Sequence, residues 1–282
     1  MELWFTEEHT DNVRFSIRVD KHIESVQSEF QKIDVFQTPE FGKVLVIDGF
    51  VMLTEKDEFI YHEMITHVPM SVNPEIKNIL VIGAGDGGTV RELIRYASIK
   101  KIDMVEIDKK VVDVCMEHIP QTASKLNDER VNLYFEDGLK FVKTKTNEYD
   151  LIIVDSTDPI GPGFELFTQG FYENCFNALK EDGILVNQHE SPYYKREAEA
   201  MQRAHKKIKT VFPVARVYQA HIPTYGSGHW LFGFASKRYN PTENINEEKW
   251  NSFGLSTRYY NAALHKGAFA LPNYVINMLD NA

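Results

Sequence analysis

Four acidic positions stand out as places where a carboxylate could do chemistry: Asp86, Glu106 with Asp108, Glu136 with Asp137, and Asp155 with Asp158. Asp86 lies inside the glycine-rich stretch Gly83-Ala84-Gly85-Asp86-Gly87-Gly88. Such glycines permit positive φ and let a ligand approach the backbone closely. A carboxylate in that loop opposes a pyrophosphate cradle, because like charges in a partly desolvated site can cost several kcal/mol. A ligand with adenosine at one end and a bare ammonium at the other would instead gain a charge-assisted hydrogen bond. The plainer alternative for Asp86 is a solvated turn residue. Glu106 and Asp108 follow the glycines by about twenty residues, where an acidic side chain can accept both hydroxyls of an adenosine ribose.

These groups must be held by strands and helices, and the hydrophobic pattern supplies them. An apolar run at 79–82 precedes the glycines, and Val90, Leu93 and Ile94 share one face of the helix that follows. From there strands at 79–82, 102–106, 131–135, 150–154 and 184–188 alternate with helices at 89–97, 109–118, 138–144, 168–180 and 195–211, and two more strands lie near 214–221 and 229–236. This βα repeat predicts an α/β fold: a Rossmann-like, mostly parallel seven-stranded sheet of the class I methyltransferase type, with helices on both faces and an antiparallel pair at one end. Ligands in such sheets sit at the carboxyl ends of the strands. A carboxylate follows each of four consecutive strands, so the pattern converges these acids on one crevice.

Residues 13–56 read as β structure, with alternating stretches at 14–19, 32–36, 43–47 and 51–54. Asp48-Gly49 between apolar runs is a strong hairpin signal. The expected organisation is a small antiparallel β domain at 1–56 and a catalytic domain at 57–282. The helix expected at 57–68 has Asp57 as its cap and is ended by Pro69 and Asn73-Pro74. Its His62-Glu63 and His67 fail as a zinc-protease motif, because histidines five apart on a helix are turned by about 140° from each other. Residues 155–168 combine two prolines and two glycines, as a lid over a site would. A second turn, 222–228, can bring Tyr225 to the same crevice. The aromatic, helical tail at 241–282 is expected to pack on the body and to form an oligomer surface.

The chain has 282 residues, 43% of them hydrophobic, enough for one large core and a small appended domain. A net charge of -10 without a basic run argues against nucleic acid and leaves room for a cationic substrate. Its two cysteines, Cys115 and Cys175, have no CxxC partner, which suggests neither a disulfide framework nor a zinc site. No apolar run approaches the length of a membrane span. With no signal peptide in view, a cytoplasmic protein is expected.

Taken together, GAGDGG (83–88), MVEID (104–108), EDG (136–138), DSTDPIGPG (155–163), YHEM (61–64) and IPTY (222–225) resemble the polyamine aminopropyltransferase family, in order and over nearly the whole chain. The resemblance implies transfer of an aminopropyl group from decarboxylated S-adenosylmethionine to putrescine, releasing methylthioadenosine. It implies Asp155 as proton acceptor, Asp86 on the aminopropyl ammonium, Glu106 on the ribose, Asp137 and Gly138 at the adenine, and Gln31 and Pro162 around the nucleoside. Tyr61, His62, Asp158 and Tyr225 would line the amine channel, with Gly83, Gly85 and Gly87 shaping the glycine loop. It implies no metal and no cofactor, the decarboxylated donor being a co-substrate, and a homodimer or homotetramer. The readings kept beside it are a diamine N-methyltransferase using intact S-adenosylmethionine and a non-catalytic polyamine-binding protein.

Overall fold

The computed structural model describes residues 2–156 and 168–281. Residues 157–167, and with them Asp158 and Pro162, lie outside the described residues.

The chain begins with two antiparallel sheets. Strands β1 (Leu3–Thr10) and β2 (Val13–Val19) form a hairpin, and β3 (Lys21–Gln27), β4 (Lys32–Thr38), β5 (Gly42–Ile47) and β6 (Phe50–Thr54) form a four-stranded sheet in that order. Two of these strands, β1 and β3, were not legible in the alternation. Leu3 and Trp4 are exposed while Glu7 is buried, so β1 turns an acid inward and apolar groups outward. The Asp48-Gly49 turn joins β5 to β6 with φ of +50° and +87°, the two left-handed residues that a tight hairpin requires. Ile33, Val35, Leu45, Ile47 and Leu53 join the main core, while Val44, Val46 and Val51 pack on Phe5, Ile17, Phe36 and Phe41.

Helix α1 (Glu58–Val72) follows and is almost wholly buried. It differs from expectation at both ends. Pro69 lies inside it and the helix runs on to Val72, ending where Asn73 N–H bonds the Pro69 carbonyl. The proline costs one internal bond, but burial of Val68, Met70 and Val72 holds the last turn in place. Asp57 occupies the cap position without capping. Its carboxylate instead accepts from Thr54 Oγ1 at 2.6 Å and from Thr224 N–H and Oγ1 at 3.1 and 2.7 Å, tying the 222–228 turn to the start of α1.

The seven-stranded sheet is built from β7 (Asn78–Gly83), β8 (Lys101–Val105), β9 (Val131–Tyr134), β10 (Tyr149–Asp155), β11 (Leu179–Gln188), β12 (Val214–His221) and β13 (His229–Ser236), in the order β12-β13-β11-β10-β7-β8-β9. Pairings among β7 to β11 are parallel, and β13 is antiparallel to both β11 and β12. Helices α2 (Gly88–Ile94), α3 (Lys109–His118), α4 (Pro120–Ala123), α5 (Gly138–Lys143), α6 (Gln169–Ala178) and α7 (Lys195–Val211) connect its strands. Successive strand residues divide between two cores. Ile79, Val81, Leu151 and Ile153 face one, and Leu80, Ile82, Ile152 and Val154 the other, because neighbouring side chains on a strand point to opposite faces. Helices must therefore cover both faces. Strand order reverses between β7 and β10, where Gly83 pairs with Asp155. That reversal is where such sheets open a crevice.

The tail carries three short helices, α8 (Glu247–Ser252), α9 (Ala262–Ala268) and α10 (Asn273–Asp280). Glu63 accepts backbone N–H groups of Arg258, Tyr259 and Tyr260, each at 2.8 Å, so an acid from the rejected zinc motif serves to dock the tail. Among the described residues no helix is long and apolar enough to cross a membrane.

Candidate active site

A cavity of about 300 Å³ opens at the reversal point, and Asp86, Glu106, Asp137 and Asp155 all line it. Gln31, Tyr61, His62, Gly83, Gly85, Gly138 and Tyr225 of the expected set also line it, while Asp158 and Pro162 lie outside the described residues. Gly87 does not line it. That glycine is the left-handed residue before α2 and packs against Ala123. Ala84 has φ of +65°, a region costing a non-glycine residue about 1–2 kcal/mol, so the alanine in GAGDGG is strained and not neutral.

Asp155 ends β10 on the cavity wall. Tyr61 Oη donates to its Oδ1 at 2.6 Å and Thr89 Oγ1 to its Oδ2 at 2.6 Å. Desolvation, then the nearby Asp86 carboxylate, push its pKa above the usual carboxylate range, which suits a proton acceptor. Tyr61 is held neutral, chiefly by burial and then by Asp155, so it stays a donor. Gly83 explains how β7 and β10 come so close: a Cβ there would lie 2.3 Å from the Asp155 carbonyl oxygen.

Asp86 accepts from Gly88 N–H at 2.8 Å and contacts His62 Nε2 at 3.1 Å. On its other side His62 Nδ1 meets Glu58 Oε2 at 2.5 Å, and Arg91 holds Glu58 with two bonds of 2.8 and 3.0 Å. Both ring nitrogens of His62 thus face carboxylates, an arrangement only the imidazolium satisfies. Burial works against that charge, but Asp86 and Glu58 lift the His62 pKa to about 10. The same histidine, after burial's opposing effect, holds Asp86 below the usual carboxylate range. The sequence marks Asp86 as a partner for a ligand ammonium but does not mark Glu58 or Arg91. The one available signal was that Glu58 precedes His62 by one helical turn.

A ring nitrogen of His62 and carboxylate oxygens of Asp86 and Asp155 lie within 4.8 Å of one another. Two carboxylates and an imidazole are a donor set for a metal ion. An imidazolium engaged by two acids has no lone pair to offer, so the arrangement suits an organic ammonium better.

Gly88 also belongs to this contact, since a Cβ there would come within 2.2 Å of the His62 ring. The ring cannot retreat from its two acids, and overpacking of this kind costs about 1–3 kcal/mol. Gly88→Ala should therefore lower Tm by roughly 2–4 °C for each kcal/mol lost. A melting curve identical to that of the parent would mean that His62 is free to move.

Glu106 lies just past β8, buried, accepting from Asp108 N–H at 2.9 Å. Burial, with Asp108 adding to it, raises its pKa to about 7. Asp108 itself does not line the cavity. It caps α3 through Lys110 N–H and accepts from Ser28 Oγ at 2.6 Å and Gln31 Nε2 at 3.1 Å. Of the two acids expected near a ribose, only Glu106 faces the cavity. Asp137 caps α5 through Leu139 N–H at 2.9 Å. Tyr225 donates to the Met52 carbonyl at 2.7 Å, and its ring lies 6.3 Å from Tyr61 and 4.8 Å from Trp230. Glu7, His9, Gln188, Glu197 and Trp230 were not anticipated, yet line the same cavity.

The fold and this cavity define a Rossmann-like α/β transferase of the methyltransferase type, with a β domain laid over its site. The spermine/spermidine synthase domain model matches residues 58–247, and the spermidine synthase tetramerisation domain model matches residues 3–55. The chain belongs to the spermine/spermidine synthase family. It is 70% identical over 280 residues to a polyamine aminopropyltransferase of Alkaliphilus oremlandii (strain OhILAs), covering 99% of each chain. A polyamine aminopropyltransferase of Clostridium perfringens (strain SM101 / Type A) is 72% identical over 281 residues, covering 100% of this chain and 99% of that one. A crystal structure of spermidine synthase in complex with the transition-state analogue AdoDATO superposes with a TM-score of 0.96 at 41% identity, covering 99% of this chain and 96% of that one.

Proposed function

We propose that this chain moves the aminopropyl group of decarboxylated S-adenosylmethionine to putrescine, giving spermidine and methylthioadenosine. The observation that carries this reading is the convergence of Asp86, Asp155 and imidazolium His62 at one end of a cavity that Glu106 and Asp137 also line. In this reading one carboxylate holds an ammonium, and a second, desolvated and raised in pKa, takes a proton.

The amine nitrogen attacks the carbon beside the sulfonium. A C–N bond forms as the C–S bond breaks, the electron pair goes to sulfur, and Asp155 receives the proton of the attacking amine directly or through water. The sulfonium is already a good leaving group, so the residues are asked only for a free amine and an aligned one. At pH 7.5, freeing an amine of pKa near 10.4 costs about 4 kcal/mol. Alignment of the two substrates can contribute several kcal/mol in return. The protein acts in the cytoplasm without a cofactor, and the β domain holds a homo-oligomer together, a tetramer by analogy with the name of the matching domain model. Asp158 and Pro162 are assigned to the amine and the nucleoside by resemblance alone.

The test incubates the protein and putrescine with decarboxylated donor and, in parallel, with intact S-adenosylmethionine. Methylthioadenosine and spermidine in equal amounts are expected. Methylated diamine from intact S-adenosylmethionine, or binding without turnover, would replace this reading.

The role assigned to Glu106 has its own pH signature. Ribose hydroxyls donate to its carboxylate, so binding is strongest above its pKa of about 7 and weakens as pH falls through that value. The Kd of methylthioadenosine should rise about tenfold from pH 8 to pH 6 if only the ionised form binds. Glu106→Gln should bind weakly and flatten the dependence; a parent Kd that does not move with pH removes Glu106 from the ribose.

A further inference from the structure

We propose that His9 is a resident cation at the far end of the cavity, placed to admit an acceptor with one remaining ammonium and to disfavour one with two. This deepens the proposed aminopropyl transfer and rests on it.

The cavity wall runs from Asp155 through Tyr61 and Tyr225 to Gly226, where an added Cβ would lie 2.5 Å from the His9 ring. His9 comes from β1, Glu7 from the same strand, and Glu197 from the first turn of α7. His9 Nδ1 meets Glu7 Oε1 at 2.9 Å, and Nε2 lies 2.8 Å from Glu197 Oε1, off the line of a well-directed hydrogen bond. An oxyanion on each ring nitrogen requires both to carry protons, since a bare nitrogen lone pair would face the acid. Burial opposes the charge, but Glu197 and Glu7 lift the His9 pKa to about 9. The ring cannot swing away, being packed edge-on against Phe15 and Tyr194.

Glu7 Oε2 accepts from Val51 N–H at 2.8 Å. Glu197 Oε2 is buried and accepts no hydrogen bond among the described residues. Two carboxylates and one imidazolium leave one net negative charge and one open acceptor. Reaction needs one neutral nitrogen, so a diamine brings one ammonium to this end and a triamine brings two. The cluster balances the first and not the second. None of its three residues touches Asp86 or Asp155, so its effect falls on acceptor choice and not on chemistry.

The test compares kcat/KM for putrescine and spermidine as acceptors in the parent, His9→Gln, Glu197→Gln and the double variant. One unpaired charge in a partly exposed site should raise the spermidine-to-putrescine ratio about tenfold in His9→Gln. Glu197→Gln should lower the ratio, and the double variant should return near the parent. A ratio that does not move, or both acceptors losing equally as in a merely structural role, overturns the proposal. Should His9→Gln not fold, Glu197→Gln alone decides it: an unchanged ratio is a refutation. A parent that turns over neither amine defeats the functional reading instead, and calorimetry of the two amines on the same variants then decides the charge argument separately.

Discussion

Asp155→Asn should slow aminopropyl transfer by at least about a hundredfold, the lower range for loss of a positioned general base. The amide is nearly the same size, and its oxygen can accept from one of the two hydroxyls, Tyr61 Oη or Thr89 Oγ1, each 2.6 Å from its own carboxylate oxygen, while its NH2 donates to the other. The packing of β10 against β7 should survive, because it depends on Gly83 and on the Asp155 backbone. What is lost is the carboxylate proposed to accept the amine proton. Desolvation and Asp86 have raised its pKa, which moves it closer to that of the amine it must relieve. The rate in the parent should climb from pH 7 to pH 9 as more amine is neutral, and in Asp155→Asn the remaining rate should climb more steeply, since solvent must then take every proton. Single-turnover rates with both substrates saturating would show this. A variant with less than a tenfold loss and an intact melting curve would move the proton-accepting role elsewhere.

Asp86→Asn should weaken binding of the decarboxylated donor by about 1.5–3 kcal/mol, the usual range for a hydrogen bond to a charged group. The asparagine carbonyl can still accept from Gly88 N–H, so the glycine turn should keep its shape. His62 would then keep Glu58 but lose its second acid, and its pKa should fall from about 10. Methylthioadenosine carries no aminopropyl ammonium and serves as the control. Calorimetry should find its affinity nearly unchanged. Equal loss for donor and control would mean that the substitution had deformed the loop. No loss for either would end the idea that this acid reads the ammonium.

These two substitutions also show how the charge of the site differs from a first reading of the chain. The sequence reading gives the glycine-loop acid a ligand ammonium as its partner and names no partner for it within the protein. It is instead already matched by His62, which Glu58 and Arg91 hold from behind. An incoming ammonium therefore enters a site whose charge is balanced by an imidazolium. Donor binding should be accompanied by proton release from His62 wherever the two cations compete for Asp86.

Local patterns carried much of the architecture. Alternation of Ile79 to Val81 and Leu151 to Ile153 between two faces, the glycines after β7, and the left-handed Asp48-Gly49 turn are properties of neighbouring residues. Any chain with those neighbours is steered the same way. Carboxylates at four strand ends needed only the rule that parallel strands share an edge, and Asp86, Glu106, Asp137 and Asp155 do line one cavity.

The order of residues along the chain thus determined the βα fold, the glycine turn and the acids that crown the sheet, because period, chirality and strand direction act within a few residues. Only the tertiary structure decided which of those acids are paired. Glu58 with Arg91, Asp57 with Thr224, Glu63 with the 258–260 backbone, and Glu197 with His9 are joined by packing between distant segments. Charge pairing depends on distance in space and on exclusion of water, and neither can be read from separation along the chain.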